Sequence, residues 1–298
     1  MNLARTDLAL EAHEAAADAG KGIEGVRLDE ENFGDFSVKR VQIENEDGAK
    51  RLGKRPGTYV TIEAPRLRSD PSSLYRSVSE ALRGELSELL NLSDDDCALV
   101  IGLGNRRITP DALGPRTIDR VLATRHMVSD DPARFGGVFR SVCALSPGVL
   151  GITGIDTTEL VSVISREIKP ALVIVVDALA ARSASRLAAT FQLSDTGVSP
   201  GSGVNGCERE ISRDTLGVPV ISLGVPTVMD AAALAADVMH MGRREAEKTM
   251  GESEPRLFVT PNNIDMLIES ASSVMALAIN GALHPKLSAD EIESFMSG

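Results

Sequence analysis

Tryptophan is absent from this 298-residue chain, and aromatic residues make up only 3% of it. That scarcity leaves little from which to build a base-stacking platform for single-stranded nucleic acid. Positive charge is also short: 31 Lys and Arg stand against 43 Asp and Glu, a formal net charge of −12. Neutralising a phosphate backbone needs clustered cations, and the single short basic cluster, at 50–55, is weak support. No direct nucleic-acid partner is expected. Cysteine is sparse and odd in number, with Cys97, Cys143 and Cys207 far apart. This argues against a disulfide framework or a zinc knuckle and for a reducing cytoplasm. The first residues lack the basic start and apolar run of a secretory signal. No apolar stretch approaches the ~20 residues of a membrane helix. A soluble cytoplasmic protein with no membrane partner is the expectation.

What the chain does have is an ordinary globular balance, 43% hydrophobic and 25% charged. Its length suits one large α/β domain or two small ones. Side-chain alternation predicts strands over 38–43 and 58–63. Leu74, Val78, Leu82, Leu86, Leu89 and Leu90 lie on one face of a helix predicted over 72–92. Further strands are predicted at 97–103, 137–145, 171–176, 188–193 and 218–223. Helices are predicted at 111–126, 157–167, 227–249 and from Thr260-Pro261 to about Leu283. Such alternation argues for an α/β fold, a mostly parallel sheet with helices on both faces.

Asp111 and Asp177 are the candidate site. Asp111 follows the run Leu99-Val100-Ile101-Gly102-Leu103-Gly104-Asn105, and Asp177 closes the apolar run Leu172-Val173-Ile174-Val175-Val176. In an open α/β sheet both would project into the crevice beyond the strands' carboxyl ends. Two carboxylates held close there can share one proton and activate water. Each could instead do no more than cap the next helix. A buried carboxylate without a partner is costly, so Asp177 is the harder to dismiss.

Other motifs fail on their own spacing. Gly102-Leu103-Gly104 begins a dinucleotide fingerprint, but Arg107 stands where the third glycine belongs, and no Gly-Lys-Ser/Thr phosphate loop exists. Ser202 lacks the glycine two residues earlier that a nucleophile elbow needs. His13-Glu14 has no second His four residues on, which rules out a zincin helix. His126, His240 and His284 fit surface or capping positions; one of them could join the two aspartates in a mononuclear metal site. Cofactors are expected to be none.

Longer stretches then carry a resemblance. They are Arg5-Thr6-Asp7-Leu8-Ala9-Leu10-Glu11, Thr109-Pro110-Asp111-Ala112-Leu113-Gly114-Pro115, Pro147 to Thr157, Asp177-Ala178-Leu179-Ala180-Ala181-Arg182, Gln192 to Gly197, Pro200-Gly201-Ser202-Gly203 and Val259-Thr260-Pro261. In this order the chain resembles the germination proteases of spore-forming bacteria. The resemblance implies an endopeptidase, active in the cytoplasm of the spore core, that begins the degradation of small acid-soluble spore proteins. It implies Asp111 and Asp177 as the catalytic pair and a homotetrameric zymogen that cuts itself between Asp7 and Leu8. Residues 1–7 would then be a propeptide and 8–298 a single protease domain, with 8–70 a strand-rich segment packed on it. The fold and the Gly102–Asp111 turn are also similar to the hydrogenase maturation endopeptidases, where the acidic residues at the Asp111 and Asp177 positions, with a His, hold a metal. That similarity makes a metal-dependent maturation-type endopeptidase the alternative.

Overall fold

Strands β1 (Val26–Asn32), β2 (Ser37–Ile43), β3 (Gly57–Glu63), β4 (Cys97–Gly102), β5 (Ser141–Leu145), β6 (Leu172–Ala181), β7 (Thr190–Ser194), β8 (Val220–Asp230) and β9 (Phe258–Val259) join in one sheet in the computed structural model. The structure describes residues 6–17, 22–199, 209–239 and 257–297. The order across the sheet is β1-β2-β3-β7-β8-β6-β4-β5, and β9 pairs with β8. Only β8, β6, β4 and β5 are mutually parallel; every other pairing is antiparallel.

The sheet is therefore mixed, which corrects the expectation of a mostly parallel one. A short apolar run such as Phe191 to Leu193 reads the same in either direction, so strand polarity is invisible to periodicity. The three N-terminal strands extend this same sheet through the β3–β7 pairing.

The helices are α1 (Ala9–Ala16), α2 (Glu46–Leu52), α3 (Pro71–Leu89), α4 (Leu113–Ile118), α5 (Arg125–Asp130), α6 (Thr157–Ile168), α7 (Ala231–Met239), α8 (Ile264–Leu283) and α9 (Ala289–Met296), with short helical turns between some of them. Along β4 and β6 the side chains alternate between two cores. Val100, Ile174 and Val176 join α3 and α8, while Leu99, Ile101, Val173 and Val175 join α6. Burial on both faces is why these strands read as unbroken apolar runs. A third cluster places Leu10 and Ala12 of α1 on Val41, Ile43 and Tyr59.

Three helices differ from the periodic expectation, each for a local reason, and strands β6 and β8 run on to Ala181 and Asp230. The helix expected over 111–126 is a 3-10 turn, Thr109–Asp111, followed by the separate helices α4 and α5. Asn280 of α8 breaks it: its carboxamide accepts from Leu122 N–H and donates to Arg120 C=O, both at 2.9 Å. The helix expected from 227 starts only at Ala231, where Asp230 accepts from the N–H groups of Ala232 and Ala233; residues 240–249 lie outside the described residues. The helix expected from Thr260 starts at Ile264, because Thr260 is engaged elsewhere, its hydroxyl donating to Thr227 C=O at 2.8 Å. By length and composition α8 is apolar enough to cross a membrane. Fifteen of its 20 residues are buried in this structure, and the core accounts for its composition.

Candidate active site

Strand β6 outruns its neighbour. Its last pair with β4 is Val176 with Gly102, and from Asp177 onward it pairs with β8 alone. Asp177 is thus not the end of a strand, as its sequence suggested, but the first residue of β6 past the end of β4. It is 9% exposed, and its carboxylate accepts the Ala178 N–H at 2.9 Å.

The Asp111 turn is fastened to the same spot. Leu103 N–H donates to Val176 C=O at 2.8 Å, so the chain leaving β4 lies beside the residue before Asp177. Gly104 follows with φ +112°, and a Cβ there would come within 2.1 Å of the Asp111 carbonyl oxygen. Only glycine permits so close a return. Gly114 acts likewise at the start of α4, where a Cβ would lie 2.2 Å from Leu103 C=O. The Asp111 carboxylate then accepts Asn105 N–H at 2.8 Å. Burial pushes the Asp111 carboxyl above its usual range, and the Asn105 N–H opposes that only in part.

Asp111 and Asp177 line one cleft of about 810 Å³, and Thr6 and Asp7 line it with them. The N-terminal segment is held there by a dense set of bonds. Asp7 N–H donates to Ala180 C=O at 3.1 Å, and its carboxylate accepts Ala180 N–H at 2.7 Å. The Asp7 carbonyl accepts Lys54 Nζ and Gln192 Nε2, each at 3.0 Å. Lys54 also donates to Thr6 C=O at 2.9 Å. The Leu8 side chain is fully buried against Ala181, Leu187, Met229 and Ala233. Glu11, itself buried, fixes α1 to the start of the next loop by accepting the N–H groups of Arg182 and Ser183 at 2.7 and 3.0 Å.

Of the four residues singled out from the sequence, Asp7, Asp111 and Asp177 line this cleft, and Leu8 follows Asp7 into the apolar cluster with Ala181 and Met229. Neither His126 nor His284 lines the cleft, and His240 and Ser202 lie outside the described residues. Among the described residues, no three His, Cys, Asp or Glu side chains gather as a metal-ligand set. Sequence reasoning passed over Lys54 and Gln192. Lys54 was hidden in the basic cluster at 50–55, and Gln192 entered only as the first residue of the stretch 192–197, with no role of its own.

The chain matches the germination protease family model, peptidase A25, over residues 3–256. It is 42% identical to the germination protease of Caldanaerobacter subterraneus subsp. tengcongensis, over 98% of each chain. Identity is 39% to that of Clostridium acetobutylicum over 100% of both chains. Against Bacillus subtilis it is 36%, covering 98% of this chain and 96% of the relative. With the fold, the cleft and these matches together, the chain belongs to the germination protease family.

Proposed function

We propose that this peptidase initiates the breakdown of small acid-soluble spore proteins during germination, and that Asp111 and Asp177 activate the attacking water. It is made as a zymogen that cuts its own Asp7–Leu8 bond. It works as a homotetramer in the cytoplasm of the spore core. The single observation that carries this is the placement of Asp7 in the cleft lined by both aspartates, with Leu8 buried beside it.

Two carboxylates facing one cleft oppose each other's ionisation, so the pair is expected to take up a first proton more readily than a lone carboxylate does. The upward push on Asp111 favours that state. The ionised member takes a proton from water, and the water oxygen bonds to the Asp7 carbonyl carbon. As the C–N bond breaks, the protonated member gives its proton to the Leu8 nitrogen. The products are a free carboxyl group on Asp7 and a free amine on Leu8. Acidification favours the singly protonated pair and hence the cut.

The test is incubation of the purified chain at mildly acid pH with N-terminal sequencing, followed by a gel assay on a spore-protein substrate. Leu8 as the new first residue and substrate degradation are expected. A different new terminus, or intact substrate, would overturn the proposal.

A further inference from the structure

We infer that Lys54 and Gln192 form a carbonyl clamp for the scissile bond, donating to the oxygen on which negative charge develops when water adds. This rests on the Asp7–Leu8 cut proposed above. A carbonyl oxygen has two lone pairs, and on Asp7 both are taken, by Lys54 Nζ and Gln192 Nε2 at 3.0 Å each. The donors come from unconnected parts of the fold: the residue after the left-handed cap Gly53 of α2, and the middle of β7.

The Gln192 amide has its orientation fixed independently. Its Oε1 accepts Ala9 N–H at 2.7 Å, so its NH2 must face Asp7 C=O. One side chain thus grips the chain on both sides of Leu8. Lys54, bridging Thr6 and Asp7 carbonyls, fixes the acyl side. The ammonium faces Asp7 and Glu11, which favour its charge, while burial draws its pKa down. Donors already in place and partly stripped of water stabilise an oxyanion without reorganising.

The division of labour follows. Water adds to the carbonyl carbon, the C=O π pair moves onto oxygen, and Lys54 and Gln192 hold that charge. When the pair returns, the C–N bond breaks towards nitrogen. Since the clamp serves the oxygen, the proton held between Asp111 and Asp177 is left for the Leu8 nitrogen.

The rival role is docking alone, with no part in the chemistry. To separate them, the appearance of Leu8 is timed in the full chain for wild type, Lys54→Met, Lys54→Arg and Gln192→Met. Hydrogen exchange across residues 12–16 of α1, clear of the Ala9 N–H that Gln192 itself accepts, is measured for the same substitutions in an uncut Asp177→Asn background. The clamp predicts about 10²–10³-fold slower cutting for Lys54→Met and Gln192→Met, partial rescue by Lys54→Arg, and unchanged exchange protection. Cutting by Lys54→Met within about threefold of wild type overturns it, as does a rate loss matched by lost protection. If Lys54→Met fails to fold, Lys54→Arg and Gln192→Met carry the same comparison. A wild-type chain that never yields Leu8, or an Asp177→Asn chain that does, instead overturns the proposed cut itself.

Discussion

Asp7 and Ala180 pair as neighbouring strands do, and then add a side chain to the bargain. The Asp7 N–H donates to Ala180 C=O, and the Ala180 N–H turns not to a backbone carbonyl but to the Asp7 carboxylate. An acidic residue therefore satisfies both polar groups of Ala180 at once. The charge-assisted bond is the stronger kind, so glutamine or alanine at position 7 would grip less well than aspartate.

Asp111→Asn and Asp177→Asn are each expected to abolish self-cleavage and substrate cleavage, by at least about 10³-fold. Asn keeps the shape and can still accept the Asn105 and Ala178 N–H groups. Asp111 carries a further sign. Its pKa is raised in the fold, so it favours folding below the unfolded carboxyl range and weighs against folding as pH rises through the folded value. Asp111→Asn should therefore melt higher than wild type at pH 7, with the gap closing as pH falls below the carboxylate range. Thermal melts at several pH values decide it; a variant less stable at pH 7 would contradict the burial argument.

Gly104→Ala should cost activity far more than stability. The added methyl meets backbone, the Asp111 carbonyl, at 2.1 Å, and the φ of +112° is itself strained for alanine. Strain of this kind is worth roughly 1–3 kcal/mol, and relief comes by moving the Asp111 turn. A cleavage rate near wild type would show that the turn can shift without displacing the carboxylate.

Leu8→Ala empties a pocket between Leu187 and Met229. Removing a fully buried leucine costs about 2–5 kcal/mol. Because only the N-terminal segment depends on it, the loss should surface as local opening. Faster hydrogen exchange in α1, with an almost unchanged global melt, is the expected result. A uniform drop across the whole protein would tie the segment to the main core.

His284 supplies an acid limit to stability. It is wholly buried, its Nδ1 accepts Arg140 N–H at 3.3 Å, and burial, aided by the Arg140 charge, pulls its pKa down to about 4. The folded value lies below the unfolded one of 6.5. Its contribution is thus complete above pH 6.5 and fades as pH falls towards 4, by up to roughly 3 kcal/mol. Urea unfolding at pH 7 and pH 4.5 should show this loss in wild type and a flatter response in His284→Gln. Equal responses would assign the acid sensitivity to other groups.

The site was legible in the sequence further than the sheet that carries it. Asp177 stood out because a lone carboxylate closing a fully apolar run has few structural reasons to be there, and Asp111 because it follows a strand and its glycine turn. Strand direction left no such mark, so the antiparallel half built on β3 and β7 was missed. Helix α1 was passed over because Ala9 to Ala16 sit in an alanine- and glutamate-rich stretch that gives no clean periodic face. Lys54 was unreadable for a different reason. Its neighbours Lys50 and Arg51 close α2 at the surface, and Arg55 pairs with Glu210 and Asp214. Only the ammonium that folds inward has a job at the cleft, and composition cannot say which cation that is.

The overhang of β6 beyond β4 sets a demand on anything that is to be cut. Asp7 reaches Ala180 because it lies ahead of α1, where its N–H and carboxylate bond outside any helix. A helical segment has already spent its N–H and C=O groups on itself. To lie along this edge it would have to unwind first, at its own thermodynamic expense. Turnover of a protein substrate would then be governed as much by how often the target segment uncoils as by the chemistry of the two aspartates.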